Sequence, residues 1–216
     1  VARERFALRN VVLLPAGNPE RNRDDRFQTL TWLELFAFAF TAVNVWLTVK
    51  ENIWCWPTGI VSVVLYAIVF YDAKLYSSAA LQIVFFALTL YGWYEWLYGG
   101  ERHTELHVTK TPRRWWLPLI ALCIVLTYAI GRFTTSFGAT LPYWDAGIAA
   151  ISIVAQWMMA KKLLENWTLW IIVNIVSIGT YAMGGIYLTS LLYAVLLVMA
   201  WRGYVEWKRS RRSESL

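Results

Sequence analysis

Four side-chain amides, Asn44, Gln82, Gln156 and Asn174, stand inside apolar runs of this 216-residue chain. An amide donates and accepts at once, so a set of them can read a neutral polar ligand. In hydrocarbon such groups are costly and turn toward a bundle interior or a wet cavity. Trp167, Trp170, Asn174, Ser177 and Tyr181 follow one another at steps of three and four, which is one helical face. Trp56, Gly59, Ser62 and Tyr66 form a second stripe, and Ser78, Gln82, Thr89 and Trp93 a third. Asp145, Ser152 and Gln156 make a fourth, and Glu34, Thr41, Asn44 and Thr48 a fifth. Tryptophan faces can stack on a planar ring or a cation for roughly 0.5–2 kcal/mol per contact. The same amides can instead bond neighbouring helices for about 0.6–2 kcal/mol each. Four of them on inward stripes favour a binding site, expected at Asn44, Trp56, Gln82, Gln156, Trp167, Trp170, Asn174 and Tyr181, with Asn174 and Gln82 foremost.

Composition says what must position these residues. The chain is 58% hydrophobic and 16% charged, against about 45–50% and about 25% in soluble domains. Disorder, a fibre and a disulfide scaffold are excluded, and Cys55 and Cys123 read as small buried hydrophobes. A helix needs ~20 mostly apolar residues to cross a bilayer. Seven segments meet that demand: 31–49, 53–71, 75–97, 115–130, 143–160, 167–183 and 187–207. None alternates as a barrel strand would. The first 28 residues carry ten charges and no signal-peptide core, so they are expected to form a loose or surface-lying tail.

Basic residues set the expected orientation. Loops on the C-terminal side hold eleven, including Lys50, Lys110, Lys161, Lys162 and Lys208, whereas the opposite short loops hold Lys74 and Arg132. The six arginines of the N-terminal tail run against this trend, accompanied by four acids. The C-terminus is placed in the cytoplasm and the N-terminus outside. The net charge of +6 then reflects anchoring to anionic lipid, not nucleic-acid binding.

The two ends of the chain resemble each other. At a spacing of 111, Glu34 aligns with Asp145, Thr41 with Ser152, Lys50 with Lys161 and Tyr76 with Tyr187. Gly92-Trp-Tyr-Glu-Trp96 likewise meets Gly203-Tyr-Val-Glu-Trp207. Between these, a spacing of 114 pairs Glu51-Asn52 with Glu165-Asn166 and Trp56 with Trp170. The expected fold is all-α and membrane-integral, with seven transmembrane helices as two parallel three-helix repeats joined by a linker helix. Its parts are an extracytoplasmic tail (1–28), a first repeat (29–98), a cytoplasmic loop and linker helix (99–135), a second repeat (136–207) and a basic cytoplasmic tail (208–216).

Tryptophans at span ends, namely Trp32, Trp96, Trp115, Trp116, Trp144 and Trp207, read as interface belts. Glu34, Asp145, Glu95 and Glu206 read as solvated helix-end charges, and Asn52 and Asn166 as caps of the helices after them. No phosphate-binding G-x-x-x-x-G-K-[ST] loop is present, and His103 and His107 in HTELH lack further metal ligands. Neither an enzyme nor a bound metal or cofactor is expected. A structural membrane subunit is the contrasting class, and it would tolerate Asn174→Ala.

Glu51-Asn-Ile-Trp-Cys-Trp-Pro-Thr-Gly-Ile60, Leu81-Gln82, Tyr91-Gly-Trp-Tyr-Glu-Trp96 and Glu165-Asn-Trp-Thr-Leu-Trp170 with Asn174 resemble the bacterial PnuC family of nicotinamide riboside transporters. The resemblance covers roughly residues 30 to 208. It implies a bundle similar to the SWEET sugar transporters, in the cytoplasmic membrane, associated as a homotrimer. It also implies facilitated import of nicotinamide riboside, trapped by a cytoplasmic kinase without a stable complex. Trp167, Trp170, Gln82 and Asn174 would stack on the pyridinium ring and bond its carboxamide or ribose. Related families on this scaffold take thiamine, riboflavin or deoxynucleosides. Gly59, Gly92, Gly179, Gly184 and Gly185 would be hinges for rocking of the two units.

Overall fold

The computed structural model describes residues 19–72, 76–100, 103–136, 142–183, 185 and 187–213, with side chains from residue 32 onward except Glu34 and Leu188. It holds seven helices: α1 Pro19–Val49, α2 Cys55–Asp72, α3 Tyr76–Tyr98, α4 Arg113–Thr135, α5 Pro142–Ala160, α6 Asn166–Met183 and α7 Tyr187–Ser213. Every expected span falls on one helix. Within the expected tail, residues 19–28 belong to α1, which begins at Pro19. Proline suits a first helical position. The rest of the expected tail lies outside the described residues, as does the hinge at Gly184.

Among the described residues only α2 and α4 are apolar enough over their length to pass as membrane spans by composition alone. In α3, α5 and α6 the tryptophans, tyrosines and amides of the stripes dilute the apolar run. Outward positions still carry large apolar side chains, such as Ile83, Leu117, Ile124, Ile175 and Leu191. Trp32, Trp116 and Trp144 are exposed, as an interface belt requires.

Neighbouring helices pack in the order α1, α2, α3, α5, α6, α7 and back to α1, which closes a six-membered ring, while α4 lies against α5. Small residues set the close approaches. A Cβ on Gly92 would overlap the ring of Trp56, and one on Gly203 would overlap that of Trp167. Gly92 is thus a seat for an indole, not a hinge. Gly59 abuts the Asn44 amide, whereas Gly179 has open space and Gly185 adopts a positive φ of 74°.

The C-terminal ends of α1 and α5 terminate alike. Glu51 N–H bonds Thr48 O and Asn52 N–H bonds Leu47 O, and Lys162 and Leu163 repeat this on Met159 and Met158. This is a Schellman ending, with Glu51 (φ 54°) and Lys162 (φ 47°) in the left-handed position. The recurrence keeps a spacing of 111 straight through the turn. It also brings Trp56 into register with Trp167, since their N–H groups bond Ile53 O and Leu164 O in the same way. The 114 pairing of Trp56 with Trp170 is therefore corrected; the repeated Glu-Asn dipeptide is a local coincidence. Asn52 Oδ1 accepts the Trp54 N–H (2.9 Å) at the mouth of α2, as expected. Asn166 does not cap: its amide donates back to Leu163 O (2.7 Å).

Trp96 and Trp207 are not belt residues, being 4% and 0% exposed. Each indole donates to a last-turn carbonyl across the ring, Trp96 to Met159 O (3.2 Å) and Trp207 to Thr48 O (3.0 Å). Thr48 O and Met159 O already accept the turn N–H groups of Glu51 and Lys162, and each indole adds a second bond to its carbonyl. With Trp56 and Trp167 they form a packed quartet. Trp56–Trp96 and Trp167–Trp207 are edge-to-face at 5.3 and 5.4 Å, and Trp96–Trp207 join at 5.9 Å.

Candidate functional site

The stripes on α2 and α6 turn inward. Trp56, Gly59 and Ser62 are buried on α2, and Trp167, Asn174 and Ser177 on α6. Ser62 Oγ lies 2.6 Å from Thr41 Oγ1, and both reach the Ala37 carbonyl, which fastens α1 to α2. The Asn44 amide donates to Cys55 O in the first turn of α2. Asn44 is therefore engaged in a helix joint.

Other candidate groups lack protein partners. The indole N–H groups of Trp56, Trp167 and Trp170 are buried without an acceptor. Asn174 is 4% exposed on the α6 face between Trp170 and Ser177. Gln82 on α3 and Gln156 on α5 are half-buried. Buried donors are almost always satisfied, and these three have no acceptor among the described residues. Trp56 and Trp167 also sit in the quartet, with their rings covered, while Trp170 is half-buried.

Deeper in the ring, Tyr181 stacks on Tyr193 of α7 (5.3 Å, 15°). Tyr193 in turn interacts with Tyr66 of α2 and Ser177 of α6. Tyr193 is absent from the sequence-based set. A signal for it existed, because it lies 111 residues after Gln82.

Ion pairs close the C-terminal end of the ring, so Glu95 and Glu206 are not simply solvated. Lys50–Glu206 (3.0 Å) joins α1 to α7, and Lys161–Glu95 (2.7 Å) joins the end of α5 to α3. Lys162–Glu51 (3.0 Å) joins the two turns themselves, and Lys162 Nζ also lies 4.5 Å from the Trp96 ring centroid. Desolvation would lower the Lys161 pKa, but the Glu95 carboxylate and Tyr91 hydroxyl outweigh it and hold the ammonium above its ordinary value. Glu165 accepts from Thr111 N (2.7 Å) and Oγ1 (2.8 Å), tying the α3–α4 loop to this end. Asp145, at the opposite end, is exposed.

Among the described residues no cluster of His, Cys, Asp or Glu could hold a metal ion. A groove of about 360 Å³ opens between α1 and α7, lined by Trp46, Lys50, Trp201, Arg202, Glu206 and Arg209 with two valines. None of the eight expected site residues lines it.

The family model described as nicotinamide mononucleotide transporter matches residues 31–209. The nicotinamide riboside transporter PnuC of Escherichia coli (strain K12) is 31% identical over 214 residues, spanning 85% of this chain and 87% of that protein. The riboflavin/roseoflavin transporter RibM of Streptomyces davaonensis is 27% identical over 194 residues, spanning 86% and 89%. A crystal structure of the vitamin B3 transporter PnuC matches with a TM-score of 0.68 at 27% identity, over 90% of this chain and 88% of that one. The ring of helices, its inward polar stripes and these matches agree: the chain belongs to the nicotinamide mononucleotide transporter family, as a PnuC-like membrane protein.

Proposed function

We propose that this protein carries nicotinamide riboside across the bacterial cytoplasmic membrane through the centre of the six-helix ring. The observation that carries the reading is the set of orphaned indole N–H groups at Trp56, Trp167 and Trp170, with buried Asn174 one turn on from Trp170. Their acceptors would be the ribose hydroxyls and the carboxamide oxygen, with Gln82, Gln156 and Tyr181 completing the site. A fixed positive charge on the pyridinium ring suits the Trp170 face. The riboside is favoured over its phosphorylated form because α2, α3, α5 and α6 contain no lysine or arginine, and a phosphate inside the ring would stand unpaired. Asn44 belongs to the joint that holds α1 on α2.

Transport in this reading is facilitated diffusion by alternating access. The recurrence of contacts at a spacing of 111 supports two parallel three-helix repeats, α1–α3 and α5–α7, related by a pseudo-two-fold axis, with α4 as linker. The quartet and the ion pairs would close the face bearing the C-terminus, cytoplasmic by its basic loops, and part when the repeats rock. Phosphorylation by a cytoplasmic kinase would keep the gradient inward, and the protein would work as a homotrimer. A riboflavin-type substrate is the second reading, favoured by the likeness to RibM.

Calorimetry on detergent-purified protein separates these. Nicotinamide riboside should bind the wild type and fail on Asn174→Ala, with nicotinamide mononucleotide and thiamine silent. Riboflavin binding without the riboside would transfer the assignment to the second reading. Equal riboside binding by Asn174→Ala would remove the site.

A further inference from the structure

The groove between α1 and α7 has a counterpart 111 residues away, between α5 and α3, and the two are finished differently. In the counterpart, Trp157 stands where Trp46 does and is covered by Trp115 of α4, with ring centroids 5.4 Å apart. Tyr91 and Tyr98 occupy the positions of Arg202 and Arg209. The Lys161–Glu95 pair there is largely shielded, with side chains 29% and 12% exposed, whereas Lys50–Glu206 is open at 53% and 39%. An indole of α4 thus covers the tryptophan of the counterpart. Among the described residues nothing covers the groove between α1 and α7, where Trp46 is 56% and Trp201 62% exposed.

Charge identifies what completes it. Arg202, Glu206 and Arg209 share one face of α7 by their spacing. Glu206 is held by Lys50 at 3.0 Å, and Arg209 reaches it only at 3.9 Å. Arg202 has no ion pair among the described residues. It lies seven residues before Arg209, about 10 Å deeper along the helix. An arginine on the outer surface at that depth extends its guanidinium to the headgroup level, where an anionic group in the groove would pair with it. A second copy of the chain does not supply one readily, because no acid in the seven spans lies as far from a span end as Arg202.

We propose that this groove holds an anionic phospholipid, its phosphate bound by Arg202 and Arg209 and its acyl chains lying along Trp46 and Trp201. The guanidinium fork matches a phosphate, and indoles favour the headgroup boundary. The site is on the outside of the ring and is independent of the transport reading.

Native mass spectrometry of the delipidated protein, titrated with phosphatidylglycerol or phosphatidylcholine of identical chains, tests it. The wild type should retain one phosphatidylglycerol per chain, preferred over phosphatidylcholine by about thirtyfold, as two basic contacts to an anionic headgroup imply. Arg202→Gln with Arg209→Gln should erase that preference while the thermal melt followed by circular dichroism keeps the wild-type midpoint. Arg132→Gln, at the far end of α4, should leave the preference intact. Glycerol 3-phosphate at the lipid's concentration should not displace the adduct. An unchanged preference in the double variant overturns the site. Displacement by glycerol phosphate would make it a free-phosphate site, and a changed copy number with unchanged lipid preference would make the groove a subunit interface; either result overturns the lipid assignment.

Discussion

Trp96 and Trp207 each hold the end of a helix in the opposite half of the ring, and their own rings meet at 5.9 Å. Two crossed hydrogen bonds therefore fasten α3 to the end of α5 and α7 to the end of α1. Removing either indole N–H takes away one of the two hydrogen bonds its carbonyl accepts, a loss of about 0.5–1.5 kcal/mol. Trp96→Phe and Trp207→Phe are expected to lower the melting temperature of the detergent-solubilised protein by similar amounts. A loss confined to one of them would show that the crossed bonds are not equivalent.

Glycine substitutions should separate tight seats from open ones. Gly92→Ala and Gly203→Ala drive a methyl into the rings of Trp56 and Trp167, and overpacking of this kind costs about 1–3 kcal/mol or more. Gly179→Ala meets nothing within 4 Å and gains helix propensity worth up to about 1 kcal/mol. Thermal melts of the three variants should rank Gly179→Ala at or above wild type and the other two below it.

Asn44 and Asn174 should diverge although both are amides on inward stripes. Asn44→Ala loses the bond to Cys55 O, so stability should drop by about 1 kcal/mol and substrate affinity should fall little. Asn174→Ala should keep the melt and lose binding. Paired calorimetry and melting curves give the comparison, and loss of stability in Asn174→Ala with affinity retained would reverse the two roles.

The turn-to-turn pair is expected to govern opening at the C-terminal face. Glu51→Gln leaves Lys162 facing the Trp96 ring without its carboxylate, a destabilisation of about 1–2 kcal/mol for a pair that keeps some solvent access. A cysteine introduced at Thr89, on the α3 stripe, should then react faster with a membrane-impermeant thiol reagent added from that face. Glu51→Lys combined with Lys162→Glu should restore the wild-type rate.

Much of this architecture was readable from residues alone. Helix count followed from seven apolar runs of spanning length, and the inward faces from the steps of three and four through Trp167, Trp170, Asn174 and Ser177, because burial in a helix bundle obeys the helical period. The alignment of Gly92 with Gly203 marked the two indole seats without showing what filled them. Trp96, Trp207, Glu95 and Glu206 were misjudged for one reason: each sits at a span end, where belts and solvated charges are usual, and each is claimed by a partner 63 to 159 residues away in sequence. The register through the α1–α2 turn was hidden by a repeated Glu-Asn dipeptide, whereas backbone hydrogen bonds reveal it at once.

Glu51 and Lys162 occupy the same position in the two halves, in the same left-handed conformation, and they bond each other. In a symmetric dimer of identical three-helix chains, a residue beside the dyad meets its own copy. Glutamate would face glutamate there, and lysine would face lysine. Only when both halves are written in one polypeptide can mutation give the two sites opposite signs. In the two-repeat arrangement proposed above, this ion pair is thus a contact open to a single chain and denied to a symmetric dimer, and it ties the closure of this face to the covalent union of its halves.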